Sequence, residues 1–169
     1  DIDAKKLEAS VLAIQRSIGK LVEKGRLAKD CGDKAASALT SVNSIQGLAA
    51  SDMVIEAVSE DVQLKKGIFQ LLDSVVRPDV ILASNTSSIP ISVLAVATKR
   101  PGNVVGVHFM NPPYLIEGVE VIPCLATDDA TTHTVCDIME SLGKKVLRIN
   151  DSPGFVVNRV LFPMINEAM

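Results

Sequence analysis

Residues 104–122 read VVGVHFMNPPYLIEGVEVI. The first six form a β-branched apolar run with His108 near its end, the pattern of a buried strand. The stretch GVEVI, residues 118–122, repeats the strand signal but carries Glu120 inside it, where a carboxylate is out of place without a partner. A turn between the two strands would bring imidazole and carboxylate together as an oriented general base. The end of a strand suits such a group, because in α/β proteins side chains there leave the sheet at a crevice on a fixed backbone.

Outward from this stretch, further strands alternate with helices. Upstream, MVIEAV (53–58) and VILAS (80–84) are apolar runs of the parallel-strand type. Between them Asp61 is placed to cap a helix running through Leu72 and Val76. SIPISVLAVA (88–97) predicts a short helix with Pro90 in its first turn. Downstream, Asp129–Leu142 predicts a helix stopped by Gly143, Lys145–Ile149 a last strand, and Pro153-Gly154 the opening of a terminal helix. At the beginning, Asp3 is a candidate N-cap, and Leu7, Val11, Ile14, Ile18, Leu21 and Val22 share one helical face that stops at Gly25. A weaker Ala-rich helix over Cys31–Leu39 and a short strand over Val42–Ile45 follow. Strands separated by helices build βαβ units, so the expected core is an α/β parallel sheet covered on both faces.

Composition narrows the function. The 169 residues, 47% of them hydrophobic, suffice for a compact core. A formal charge of -3 gives no electrostatic reason to expect nucleic acid or an anionic membrane as partner. No apolar run approaches the roughly 20 residues that span a bilayer. Cys31, Cys124 and Cys136 match no metal-ligand spacing, and an odd number argues against a disulfide framework. No metal is expected, and a reducing compartment, cytoplasm or organelle matrix, is the simpler reading. The chain begins at Asp1 without Met and stops inside the apolar helical pattern VLFPMINEAM, which reads as a piece cut from a larger protein.

Other residues carry two readings each. Glu60, just after the MVIEAV strand, and Lys65, in the following helix, suit contacts to ribose or phosphate oxygens, or equally a helix cap and a solvated lysine. Ser84-Asn85-Thr86-Ser87-Ser88 can aim hydroxyls and amides at a ligand oxygen, cap the next helix, or do both. Asn158 lies on an otherwise apolar helix face and must find a backbone or substrate oxygen. His133, among Thr and Asp at a helix start, has no second ligand nearby and is a surface residue.

Taken together, VEKG, VIEAVSED, ASNTSSIPI, GVHFMNPP, GVEVI and DSPGFVVNR resemble the L-3-hydroxyacyl-CoA dehydrogenase family, in family order and spacing from Asp1 to Met169. The resemblance implies a Rossmann-type sheet over residues 1–152 that lacks its first strand–helix unit, and the start of an all-helical, dimerising C-terminal domain over 153–169. It implies NAD as cofactor, an acyl-CoA substrate, and a homodimer in the full-length protein. By the same resemblance His108 is the general base, Glu120 the carboxylate that orients it, and Ser87 and Asn158 the groups holding the reacting 3-oxygen or the histidine. Asp1, Glu60, Lys65 and Asn111 match contacts to NAD, while Ser17 and Lys24, with Ser87, match contacts to the substrate.

The sequence also departs from the family pattern. The GxGxxG turn does not occur in it, so the chain alone is expected to bind NAD poorly and to be inactive. Glu117-Gly118 replaces a usual Lys-Leu, a charge reversal close to Glu120. NPPY is similar to the gulonate dehydrogenase (lambda-crystallin) branch, which leaves a hydroxy-acid dehydrogenase or a non-catalytic structural protein as alternatives. A polar set of Ser87, His108, Glu120 and Asn158 favours the enzyme.

Overall fold

The computed structural model describes residues 3–169, in two compact units, one through Leu48 and one from Ala49 to Met169. In the first unit, α1 (Ala4–Glu23) is capped by Asp3, whose side chain accepts the amides of Lys5 and Lys6. Gly25 follows it at φ +64, the left-handed conformation that ends a helix. The second helix, α2 (Lys29–Ala38), packs on α1 at Gly32, where any side chain would collide with Val22. The expected strand at Val42–Ile45 does not form. Val42 instead lies against Gly47, so the chain doubles back into a 3₁₀ turn at Ile45–Leu48.

The second unit is a five-stranded sheet in the order β1 (Met53–Glu56), β2 (Ile81–Ser84), β3 (Val104–Phe109), β4 (Gly118–Pro123), β5 (Lys145–Arg148). Three helices connect its strands: α3 (Val62–Val75), α4 (Ile91–Ala95) and α5 (Asp129–Ser141). Asp61 caps α3 through the Leu64 amide, and Pro90 stands as the N-cap of α4 rather than within its first turn. The terminal helix α6 (Val157–Ala168) begins only after a turn over 153–156.

The sheet is the mostly parallel, Rossmann-type sheet expected, with one antiparallel pairing. Strands β1, β2 and β3 are parallel, but β4 pairs antiparallel with β3, and β5 follows β4 in the same direction. Only residues 110–117 join β3 to β4. A parallel return needs a crossover of about a dozen residues or more, so the short connection forces a hairpin.

Alternation along the hairpin sorts its side chains by face. Val105, Val107, Val119 and Val121 join Val135 and Met139 of α5 in one core layer. Gly106 and Ile122 face the other way, toward Ile91 of α4. Both faces of β3 are therefore covered, and His108 and Glu120, directly opposite in register, share the α4 face.

Candidate active site

His108 and Glu120 meet. The Nδ1 of His108 lies 2.7 Å from Oε2 of Glu120, which is 0% exposed. The other carboxylate oxygen, Oε1, accepts the amides of Val156 and Val157, each at 3.0 Å, at the start of α6. A carboxylate so placed only accepts, so Nδ1 carries the ring hydrogen, and in its neutral form the imidazole presents a lone pair at Nε2. No described residue bonds Nε2. Among the described residues no buried side-chain N or O lacks a partner, so Nε2 opens to solvent.

The amides reach Glu120 because the chain turns sharply before α6. Gly154 (φ +76) and Phe155 (φ 51) are both left-handed. A non-glycine residue there costs on the order of 1–2 kcal/mol. The Phe155 ring offsets that cost: it is 1% exposed and packs on the imidazole with centroids 5.7 Å apart. Asp151, just upstream, accepts the Ile91 and Ser92 amides at 2.7 and 2.9 Å. The serine run is thus not the cap of α4; a carboxylate sixty residues later does that work.

Glu60 organises the serine run instead. Its Oε1 accepts from Thr86 Oγ1, from the Ser87 and Ser88 amides (3.1 Å each) and from Ser88 Oγ (3.0 Å). Burial pushes this carboxyl's pKa up, but the hydrogen bonds from Thr86 and Ser88, the Lys65 charge and the Ser87 amide outweigh burial and hold it below the ordinary range. Asn158 closes the far side of the run, its Nδ2 donating to Ser87 O at 2.9 Å. The Ser87 hydroxyl and the second Asn158 amide hydrogen remain unengaged, as donors to an oxygen need to be.

Lys65 is not the solvated lysine that one reading allowed. It is 1% exposed, and its ammonium donates to Glu56 Oε1 (2.7 Å) and Val58 O (3.1 Å) and lies 3.4 Å from Glu60 Oε2. Glu56 also accepts from Ser84 Oγ at 2.7 Å and from the Val58 amide. A carboxylate inside an apolar strand was the same signal that marked Glu120, and it pointed equally to Glu56. Phe155 and Asp151 had no such signal, since their roles come from contacts distant in sequence.

Asn111 is exposed and joined to Pro112 by a cis peptide. Ser17, on α1, donates to Ala13 O, and Lys24 is the exposed C-cap of α1. Asp1 lies outside the described residues. Glu117 pairs with Lys145 at 2.7 Å on the surface, which neutralises the charge reversal noted above; His133 is exposed. No helix among the described residues is long and apolar enough to cross a membrane.

A mostly parallel sheet with a histidine–carboxylate pair at a strand end defines a Rossmann-type domain equipped for proton transfer. Comparison with known proteins is specific: residues 1–152 match the family described as 3-hydroxyacyl-CoA dehydrogenase, NAD binding domain, and the chain belongs to that family. It is 47% identical over 156 residues to a probable 3-hydroxybutyryl-CoA dehydrogenase of Deinococcus radiodurans, covering 92% of this chain and 56% of that one. The 3-hydroxybutyryl-CoA dehydrogenase of Bradyrhizobium diazoefficiens is 41% identical over 169 residues, 100% of this chain and 58% of that one. In structure it resembles the (S)-3-hydroxybutyryl-CoA dehydrogenase of Ralstonia eutropha, with a TM-score of 0.95 and 40% identity over 99% of this chain and 59% of that one. The chain thus spans a little over half the length of these curated relatives.

Proposed function

We propose that this chain is the NAD-binding part of a dehydrogenase that oxidises the 3-hydroxyl of L-3-hydroxyacyl-CoA to the 3-ketone. The observation that carries this reading is the imidazole held by Glu120 at Nδ1 with Nε2 open. An alcohol carbon releases hydride only as its hydroxyl proton leaves, and Nε2 is the base for that proton. Glu120 stabilises the resulting imidazolium, while its two backbone amides keep the carboxylate in place. Ser87 Oγ and Asn158 Nδ2 hold the reacting oxygen. NAD, when bound, supplies the hydride acceptor.

The residues at the ends of β1–β3 suit that cofactor: open donors and the 39% exposed Glu60 carboxylate fit the hydroxyls and amide of a nucleoside end. Lys65 serves it by holding Glu60; Asn111 and Asp1 complete the proposed NAD contacts. Ser17 and the exposed Lys24 take the CoA part of the substrate. Residues 1–152 form the cofactor-binding domain and 153–169 begin a helical domain through which the full-length protein dimerises. Three free thiols suit a reducing compartment such as the cytoplasm.

Steady-state kinetics of the full-length protein, following NADH oxidation with acetoacetyl-CoA, tests the reading. His108→Gln is expected to lower kcat about 10²–10⁴-fold with NAD affinity nearly intact. Ordinary turnover in that variant would remove the assignment.

A further inference from the structure

Residues 110–117, which join β3 to β4, carry Asn111 on a turn whose own side chains do little to hold it. Tyr114, Leu115 and Ile116 are all exposed, so the tip of this connection is not seated by apolar packing. The amides of Leu115 and Ile116 both turn back on the Pro112 carbonyl, at 3.0 and 3.1 Å, which shapes the turn without tying it to anything. Among the described residues, the bonds that tie it to a distant part of the chain come from Lys144 and Lys145, at the entry to β5. Lys144 Nζ donates to the Pro113 carbonyl and, at 2.8 Å, to that of Ile116. Lys145 donates its amide to Glu117 O at 2.9 Å and pairs with the Glu117 carboxylate.

The two lysines do different jobs. Lys145 closes the β4–β5 edge, where it stands opposite Gly118 in register. Lys144 reaches back to the turn from a fixed base: Gly143 (φ +75) stops α5 in the left-handed conformation, and the Lys144 amide donates to Met139 O at 3.0 Å. Its ammonium is shared between two uncharged carbonyls, while the neighbouring Glu117 carboxylate is taken by Lys145. Two charge-assisted bonds from one half-buried lysine make a clamp on the turn. We propose that Lys144 is a positioning residue of the reaction, clamping the β3–β4 turn and so fixing Asn111 against the nicotinamide. The inference rests on the dehydrogenase reading, which gives Asn111 its cofactor contact and Lys144 no part. His108 and Glu120 are held separately, by the β3–β4 ladder and by the amides of Val156 and Val157. Loss of the clamp therefore leaves the general base in place and loosens the cofactor side alone.

In the full-length protein, Lys144→Met keeps the length of the side chain and removes its donors, whereas Lys144→Arg keeps donors. With acetoacetyl-CoA and NADH, the methionine variant is expected to raise the KM for NADH about fivefold or more, and the arginine variant to stay within about twofold of the parent. The pH profile of kcat should be the parent's in both; a shifted profile would move the effect to His108 and overturn the assignment. A lysine that only stabilises the fold would lower the thermal midpoint and leave KM per folded molecule unchanged, which would also overturn it. Equal losses in the methionine and arginine variants would do the same. In an Asn111→Ala background Lys144→Met should add no further rise in KM, and additive rises would show that the clamp does not act through Asn111. Should the methionine variant not fold, Lys144→Gln, scored per folded molecule, is read by the same outcomes. A parent protein with no activity on acetoacetyl-CoA would instead defeat the dehydrogenase reading itself, which keeps the two failures distinct.

Discussion

Glu60 shows how much one side chain can organise. Four donors converge on a single oxygen, and the ammonium of Lys65 stands by the other. Each of these partners favours the charged form, which is why the carboxyl ionises below its ordinary range despite burial. A folded-state pKa lower than the unfolded one stabilises the fold above the unfolded value, and the benefit disappears as pH falls through the folded value. Acidifying from about pH 5 to about pH 3 should therefore lower the unfolding midpoint more in the parent than in Glu60→Gln. Chemical denaturation at the two pH values measures this, and equal losses in both proteins would contradict it. Lys65 belongs to the same account: breaking a buried pair by removing one partner costs far more than the pair itself contributes.

Among the elements, the β3–β4 hairpin and α4 pack closely around one glycine. Gly106 lies at the centre of β3, with Ile91 of α4 above it and Ile122 of β4 beside it. A Cβ at this position would stand 2.7 Å from Ile91 Cδ1 and 2.9 Å from Ile122 Cβ. The Ile91 methyl can swing aside, but Ile122 Cβ is fixed to its strand. Gly106→Ala should accordingly destabilise by about 1–3 kcal/mol, read as a lower urea midpoint with unchanged slope. A midpoint equal to the parent's would mean that α4 packs more loosely than the distances indicate. Since Asp151 holds the first turn of α4 and the next residues supply the Glu120 amides, a shift of this joint is also expected to slow turnover.

At the scale of the whole molecule, what stands out is the exposed apolar surface of α6. Val160 and Met164 on one side of the helix and Phe162 on the opposite side are each at least 60% exposed, so large apolar side chains stand uncovered all round it. Clustered apolar surface of this kind drives association. Sedimentation velocity on the 169-residue chain should show a weight-average coefficient that climbs with concentration, and Phe162→Glu should flatten that climb. A monomer across the range in the parent would show that α6 alone does not suffice. Pro163 lies within this helix, so its ring removes one internal hydrogen bond and leaves α6 dependent on packing for its stability.

Much of this was legible in the residues themselves. Apolar runs of strand length, the Asp3 and Asp61 caps, and the left-handed stops at Gly25 and Gly143 are local properties, written in side-chain size, hydrogen-bonding capacity and backbone freedom. The pairing of His108 with Glu120 was readable too, because a charged group in a buried strand demands a partner and only one imidazole lay within a turn's reach. What only the tertiary structure decided were the direction of β4 and β5, the enclosure of Lys65 by Glu56, the capping of α4 by Asp151, and the seat of Phe155 against His108. Each of these depends on a contact between residues far apart in the chain or on a face chosen by packing, and no local pattern encodes which distant surface will arrive.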